Sequence, residues 1–203
     1  TIGTHGLQRA VAAAQNSRLG NGGSAHRAGH RAGQDGAWVD HGHHALMTVD
    51  AFRAVGGYDE TFIHNEDAEL DARLCRAGYR IWLTGAATLV YYPRRTPWAL
   101  FRQYRGYGYG RARNLLKHPR WPKLRQMLPM LIAPAFLLAL LWPLSNLFAL
   151  PLLAWADICL FYGIGLGIRA RSMTVAALSG IAAMIMHAAW SLGFWQALLR
   201  GRA

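Results

Sequence analysis

The chain has 203 residues, 53% of them hydrophobic and 16% charged, with 22 Lys and Arg against 10 Asp and Glu for a formal charge of +12. That composition excludes a disordered chain, which is poor in apolar residues and rich in charge. Only two cysteines, Cys75 and Cys159, occur, and they lie in unlike segments, which excludes a disulfide-stapled miniature; the length fits one domain of ordinary size, or a smaller one followed by membrane helices.

The first residues, Thr1-Ile2-Gly3, carry no basic n-region and no apolar h-region. They do not form a signal peptide and read as a chain entered in the middle. Leu7 to Gln15 is Ala-rich with helical spacing, and Gly20-Asn21-Gly22-Gly23 reads as a flexible loop. Arg27 to Gly36 is polar and Gly-punctuated, hence loop, and Trp38 to Met47 has strand-like content. Asp50 is placed to cap a short helix, Ala51 to Val55, that stops at Gly56-Gly57. Asn65 can cap a helix from Glu66 to Ala77. Its first turn holds Glu66, Asp67 and Glu69, and its apolar seam is Leu70, Leu74 and Ala77. Arg80 to Leu83 and Thr88 to Tyr92 read as strands. Alternating strands and short helices suggest an α/β layer, with too few strands for a complete sheet.

Charge divides the chain. Residues 1–126 hold 18 of the 22 bases and nine of the ten acids. From Asp35 to Asp71 there are nine acids and one base, Arg53; from Arg94 to Arg125 there are ten bases and no acid. A change of sign marks two surfaces with different partners. Beyond it, Gln126 to Ala156 is 31 residues without charge, Asp157 interrupts, and Ser172 to Leu199 is 28 residues without Asp, Glu, Lys or Arg. A span needs about 20 apolar residues, so this tail predicts about three membrane helices, 127–149, 150–168 and 173–199, the last being the cleanest. The basic segment before them and Arg169-Ala170-Arg171 suit the cytoplasm, which leaves the C-terminus outside, where Arg200 and Arg202 sit awkwardly. Asp157 and His187 fall at similar depth in two neighbouring antiparallel spans, so they are expected to pair and set the register of those helices.

Three chemistry-bearing patterns stand out. The first is Gly56-Gly57-Tyr58-Asp59-Glu60-Thr61-Phe62, followed by Asn65-Glu66-Asp67-Ala68-Glu69-Leu70, Arg73-Leu74 and Ala77-Gly78-Tyr79-Arg80-Ile81. A carboxylate at a helix mouth, held by backbone N–H groups, is well placed to take a proton; equally, acids favour a helix N-terminus without any catalytic role. The second is Asp40-His41-Gly42-His43-His44. His41 and His43 share a face in a strand, which suits a metal cluster, a wall of hydrogen-bonding imidazoles, or structural histidines. The third is Arg94 to Arg125, where the bases interleave with Trp98, Phe101, Tyr104, Tyr107, Tyr109 and Trp121. That is the composition of a membrane-surface segment; Arg102, Gln103 and Arg105 can instead contact a diphosphate. Gly106, Gly108 and Gly110 lack the spacing of a dinucleotide loop. Nucleic acid is a poor partner for charge that abuts a membrane span.

The Gly-Gly turn, the acidic pair and the Arg-Leu-x-x-x-Gly run resemble the acceptor half of family 2 glycosyltransferases, inverting nucleotide-sugar enzymes of the GT-A fold. The stretches Gln15-Asn16-Ser17, Gly20-Asn21-Gly22-Gly23-Ser24 and Asp40-His41-Gly42-His43-His44-Ala45-Leu46, with His187 and Gly193-Phe194 in the tail, look more narrowly like succinoglycan-type exopolysaccharide glycosyltransferases. The resemblance covers nearly the whole chain. It implies a partial GT-A-like α/β acceptor half over 1–93, a basic aromatic interfacial segment over 94–126, and transmembrane helices over 127–203. It implies a sugar moved from a nucleotide-sugar to a polyprenyl-diphosphate-linked acceptor at the cytoplasmic face of a bacterial inner membrane. Asp67 would be the base, Glu66 its neighbour orienting the acceptor, and Asp40, His43 and His44 acceptor contacts. It also implies a divalent metal, Mg or Mn, in the full-length enzyme, whose D-x-D motif is not found in this chain; Asp67-Ala68-Glu69 and Glu69-Leu70-Asp71 are helical. Processive relatives carry Q-x-x-R-W where this chain has Gln103-Tyr104-Arg105-Gly106-Tyr107, which favours one sugar per encounter. A polyprenyl-phosphate sugar synthase and a non-enzymatic membrane anchor or transport module using Asp157 and His187 are the alternatives.

Overall fold

A computed structural model describes residues 1–22, 36–42, 46–87, 89–119 and 124–201. The described chain is mostly helical, with one small sheet. α1 (Gly6–Asn16) and the single turn α2 (Arg18–Asn21) open it, and β1 (Gly36–Val39) pairs antiparallel with β2 (Ile81–Thr84), Trp38 opposite Trp82. Between the strands lie α3 (Val49–Ala54) and α4 (Glu66–Arg76). Then follow α5 (Pro97–Lys117), the short α6 (Leu124–Met130) and α7 (Ile132–Ala139), a 3₁₀ turn at Asn146–Ala149, α8 (Leu150–Ala170) and α9 (Met173–Arg200).

Several local expectations are corrected. The Gly20 loop is partly helix, because the Ser17 hydroxyl accepts from the Gly20 N–H and caps α2. Thr48, not Asp50, caps α3, accepting from the Ala51 N–H, and Asp50 lies in the first turn. The strand expected over Trp38 to Met47 ends at Val39, and residues 89–92 carry no strand. Asn65 stands at the N-cap of α4 with φ +69° and makes no side-chain cap bond. Asn is among the few side chains that tolerate this left-handed backbone. At the preceding turn Gly56 and Gly57 both have positive φ, +81° and +71°. Two such residues in succession need glycine.

The largest core is built on α9. Ala10, Val11 and Ala14 of α1, Leu100 and Tyr104 of α5, Cys159 of α8 and Ala182, Ala183, Met186 and Ala189 of α9 form one buried cluster. A second cluster continues it, with Ala112 of α5 against Phe194 and Ala197 of α9. α5 runs along α9 in the same direction at glycine contact. A Cβ on Gly108 would strike the Trp190 carbonyl, and one on Gly193 the Arg105 carbonyl. Gly108→Ala is therefore expected to push backbone against backbone and cost about 1–3 kcal/mol. Gly165 of α8 meets no atom, so Gly165→Ala should be neutral or stabilising, by up to about 1 kcal/mol of helix propensity. Unfolding midpoints of the two variants check the contrast; equal shifts would refute it.

The tail departs from the three-span expectation. The first stretch is broken into α6, α7 and the 3₁₀ turn, with Pro129 inside α6. Among the described residues two helices are long and apolar enough to cross a membrane, Asn146–Ala170 and Met173–Arg200. They form an antiparallel hairpin: Trp155 meets His187, Cys159 and Gly163 meet Gly180, and Gly167 meets Ala176. Their surroundings differ. The most apolar stretch of α9 is 44% buried, that of α8 only 11%. α9 is covered by α8 and by α1 and α5, whereas Leu153, Phe161, Ile164 and Ile168 of α8 stay exposed.

The expected Asp157–His187 pair is not made. The Trp155 indole donates to His187 Nδ1 at 3.3 Å, so the opposite nitrogen donates to the Leu19 carbonyl at 2.9 Å. Both ring nitrogens are satisfied by uncharged partners, and Asp157 lies exposed on α8.

Candidate active site

A second, smaller core positions the acidic helix. Ala51 of α3 packs on Leu70 and Leu74 of α4, with Met47, Phe52 and Val55 beside them. Arg73 then fastens the Gly-Gly turn to α4. Its guanidinium donates to the Val55 and Gly57 carbonyls and forks onto Glu69 at 2.7–3.0 Å.

Glu69 is fully buried and gathers three cationic or donor groups. Besides Arg73, Lys117 Nζ lies 2.6 Å away and His118 Nε2 2.8 Å away. Arg76 donates to His118 Nδ1, which leaves Nε2–H to donate to Glu69. Burial pushes the Glu69 carboxyl up, but the bonds from Arg73, Lys117 and His118 outweigh it and hold it down at about 2. Lys117 also meets Asp59 at 2.6 Å. That bond, with one from the Thr61 hydroxyl, holds Asp59 well below the usual carboxylate range. Burial works against the Lys117 charge, and its two carboxylates raise it nonetheless. Through this cluster the end of α5 is locked to α4 and to the loop after the Gly-Gly turn. The end of α9 comes to the same place, since Gly201 borders a cavity of about 300 Å³ with Asp59, Phe62, Arg113 and Lys117.

Glu66 and Asp67 open α4 and border a second cavity. With Gly42, Met47, Tyr58, Leu70 and Asp71 they line a cavity of about 190 Å³. Asp67 Oδ1 accepts from the Ala68 N–H at 2.7 Å, so the first turn of the helix holds the carboxylate. Its other oxygen, Oδ2, is 3.9 Å from His41 Nε2. On the far side of that imidazole, Nδ1 is 2.6 Å from Asp71 Oδ2, which also accepts from the Gly42 N–H at 2.9 Å. Asp71 is nearly buried, and Asp67 and His41 are about one-third exposed.

The sites expected from sequence divide accordingly. Glu66 and Asp67 come together at the cavity. Asp40 is exposed, and its carbonyl accepts from the Cys75 thiol. His43 and His44 lie outside the described residues. Arg102, Gln103 and Arg105 do not line the Asp67 cavity. Gln103 donates to the Tyr91 and Tyr107 hydroxyls, Arg105 to the Gln196 side chain, and Arg102 is exposed. Arg113 and Lys117, expected to face a membrane surface, turn inward to Thr61, Asp59 and Glu69. Two contributors were missed, His41 in this role and Asp71. Their signal was the spacing of Asp67 and Asp71, i and i+4 on one helix face.

Among the described residues no site fits the divalent ion that the resemblance implies. Among the described residues no three His, Cys, Asp or Glu side chains converge as metal ligands. His41, Asp67 and Asp71 approach one another, but Asp71 is already engaged with Nδ1–H and a backbone N–H.

Comparison with known proteins defines the class. The model of glycosyl transferase family group 2 matches residues 16–196, and the chain belongs to that family. It is 54% identical over 199 residues to the "Succinoglycan biosynthesis protein ExoA" of Rhizobium meliloti (strain 1021). The match takes in 98% of this chain and 59% of the relative, so the chain spans about three-fifths of that protein's length. No solved structure matches it.

Proposed function

We propose that this chain carries the acceptor-side and membrane portion of an inverting glycosyltransferase of exopolysaccharide synthesis. The sugar passes from a nucleotide-sugar to a lipid-linked oligosaccharide, and Asp67 takes the proton of the attacking hydroxyl. The observation that carries this reading is Asp67 itself, held by the first turn of α4 at the mouth of a cavity of about 190 Å³. Glu66 beside it orients the hydroxyl. The family assignment and the relative's role in succinoglycan biosynthesis support the reaction class. Family 2 enzymes commonly use a divalent ion, which neutralises the leaving diphosphate; this chain's described residues supply acceptor-side chemistry.

The membrane reading rests on the apolar skin of α7 and α8. Phe136, Leu137, Leu140, Leu153, Phe161 and Ile168 are all exposed. Large contiguous apolar surface is costly in water, and lipid covers it. The hairpin of α8 and α9 returns the chain to the side of Asp59 and Lys117, where Gly201 follows α9.

One experiment tests both parts. Membranes containing the full-length protein, washed with alkaline carbonate, are incubated with labelled nucleotide-sugars and a polyprenyl-diphosphate-linked saccharide. Label should pass into the organic-extractable lipid, and the protein should stay in the membrane pellet. Label found only in free sugar, or protein released into the wash, would overturn the corresponding part.

A further inference from the structure

We infer that the outer face of α8 docks a transmembrane helix of a partner protein, one that carries a lysine or arginine at mid-bilayer depth opposite Asp157; the inference rests on the membrane reading above. α8 has two unlike sides. Cys159, Gly163 and Gly167 are buried against α9. On the opposite side Leu150, Leu153, Asp157, Phe161, Ile164 and Ile168 recur every three or four residues, and all are exposed. Asp157 is the one acid between residues 127 and 203. It stands 11 residues after Asn146 and 13 before Ala170, the ends of the span. At about 1.5 Å per residue that is roughly 17–20 Å from either end, the middle of the hydrocarbon.

Among the described residues no hydrogen bond or ion pair reaches Asp157. His187 is engaged with Trp155 and the Leu19 carbonyl. Arg169, the nearest base along α8, is 12 residues away, about 18 Å along the axis. Lipid tails cover the leucines and the phenylalanine of this face, but a tail has no donor for a carboxylate. Ionisable groups at membrane depth are costly there and face a partner. Charge decides which partner. A lipid-linked diphosphate is anionic, and the carboxylate repels it. A second copy enters the bilayer in the same orientation, so it brings its own Asp157 to the same depth, acid against acid. A helix with a lysine or arginine at that depth supplies the opposite charge and several N–H donors. Its apolar flanks pack along Leu153 and Phe161, displacing lipid from this strip alone.

The test uses the full-length protein, labelled at its N-terminus with a donor fluorophore and reconstituted in phosphatidylcholine vesicles. The probes are acceptor-labelled transmembrane peptides of Leu and Ala, about 23 residues long, with Lys at the centre, Lys near one end, Asp at the centre, or no polar residue. Energy transfer to the central-Lys peptide should saturate at about tenfold less peptide than transfer to the apolar one. The end-Lys peptide should behave like the apolar one. Asp157→Leu, an outward change that leaves the fold alone, should abolish the preference. Asp157→Lys should transfer it to the central-Asp peptide. Equal binding of the central-Lys peptide by the parent and Asp157→Leu would overturn the inference, and so would a preference that the charge swap does not move. Energy transfer between two labelled copies without peptide, lost in Asp157→Leu, would give the face to a second copy and overturn the partner. Protein washed from the vesicles by alkaline carbonate would overturn the membrane reading and this inference together; protein that is retained and shows no preference would overturn only the inference.

Discussion

Replacing Asp67 by Asn is expected to lower turnover by about 10²–10⁴-fold, the range set by loss of a general base. The substitution keeps shape and keeps an oxygen to accept the Ala68 N–H at 2.7 Å, so the start of α4 stays as it is. What it removes is basicity. Nucleotide-sugar binding should therefore be unchanged, and the loss should fall on kcat. Glu66 shares the cavity but stands one residue away on the helix, about 100° around its axis, and cannot substitute for Asp67 at the same atom. Transfer assays in membranes, normalised to protein amount, read the effect. Near-normal turnover in Asp67→Asn would remove the residue from the chemistry.

The largest effect on stability is expected at Glu69. The side chain is fully buried among Arg73, Lys117 and His118. Glu69→Ala leaves those groups facing one another and frees Arg73 from the geometry that pins Val55 and Gly57. Removing one partner of a buried ionic cluster costs about 3–5 kcal/mol; the partial exposure of Lys117 puts this case near the lower end, a fall in unfolding midpoint of roughly 6–12 °C. The same group predicts an acid limb. Its carboxyl lies at about 2 in the folded chain against an ordinary 4.5. A depressed carboxylate contributes stability that is complete above the ordinary value and is lost as pH falls through the folded one. Stability should decline between about pH 4.5 and 2, and Glu69→Gln should flatten that decline. An unchanged acid limb in Glu69→Gln would refute the assignment. Because the cluster joins α4 to the end of α5, a loosened Glu69 variant should also lose transfer activity at temperatures below its unfolding.

Much of the acidic helix was legible in the chain. Asn65-Glu66-Asp67-Ala68-Glu69-Leu70 announces a helix start, and Gly78 its end, because caps, dipole and apolar seam are local properties. The helix runs Glu66–Arg76, one residue short of the expected end. Gly56-Gly57 is legible for the same reason, since the turn needs two positive φ values that only glycine adopts freely. The family pattern rests on those same local residues. The triad of Asp67, His41 and Asp71 was only half visible. Asp67 and Asp71 share a face by spacing, but the imidazole that joins them comes from a segment 26–30 residues earlier in the chain, and nothing in a spacing rule says which histidine of three will arrive.

By itself, then, the sequence determined the helices α1, α3 and α4, the acidic turn and two of the three expected long apolar segments, those of α8 and α9. Each follows from periodicity, composition or backbone chemistry within a few residues. Only the tertiary structure decided what those segments face. α8 and α9 are both apolar throughout, yet α9 is 44% buried under its neighbours and α8 only 11%. Of the α5 glycines, unreadable as a nucleotide loop, Gly108 lets α5 lie against α9, and Gly106 and Gly110 lie against His64 and Asn65 before α4. Arg113 and Lys117, which composition assigns to a membrane surface, turn inward to Thr61, Asp59 and Glu69. A hydrophobicity sum has no direction, and a charge has no partner, until packing brings distant parts of the chain together.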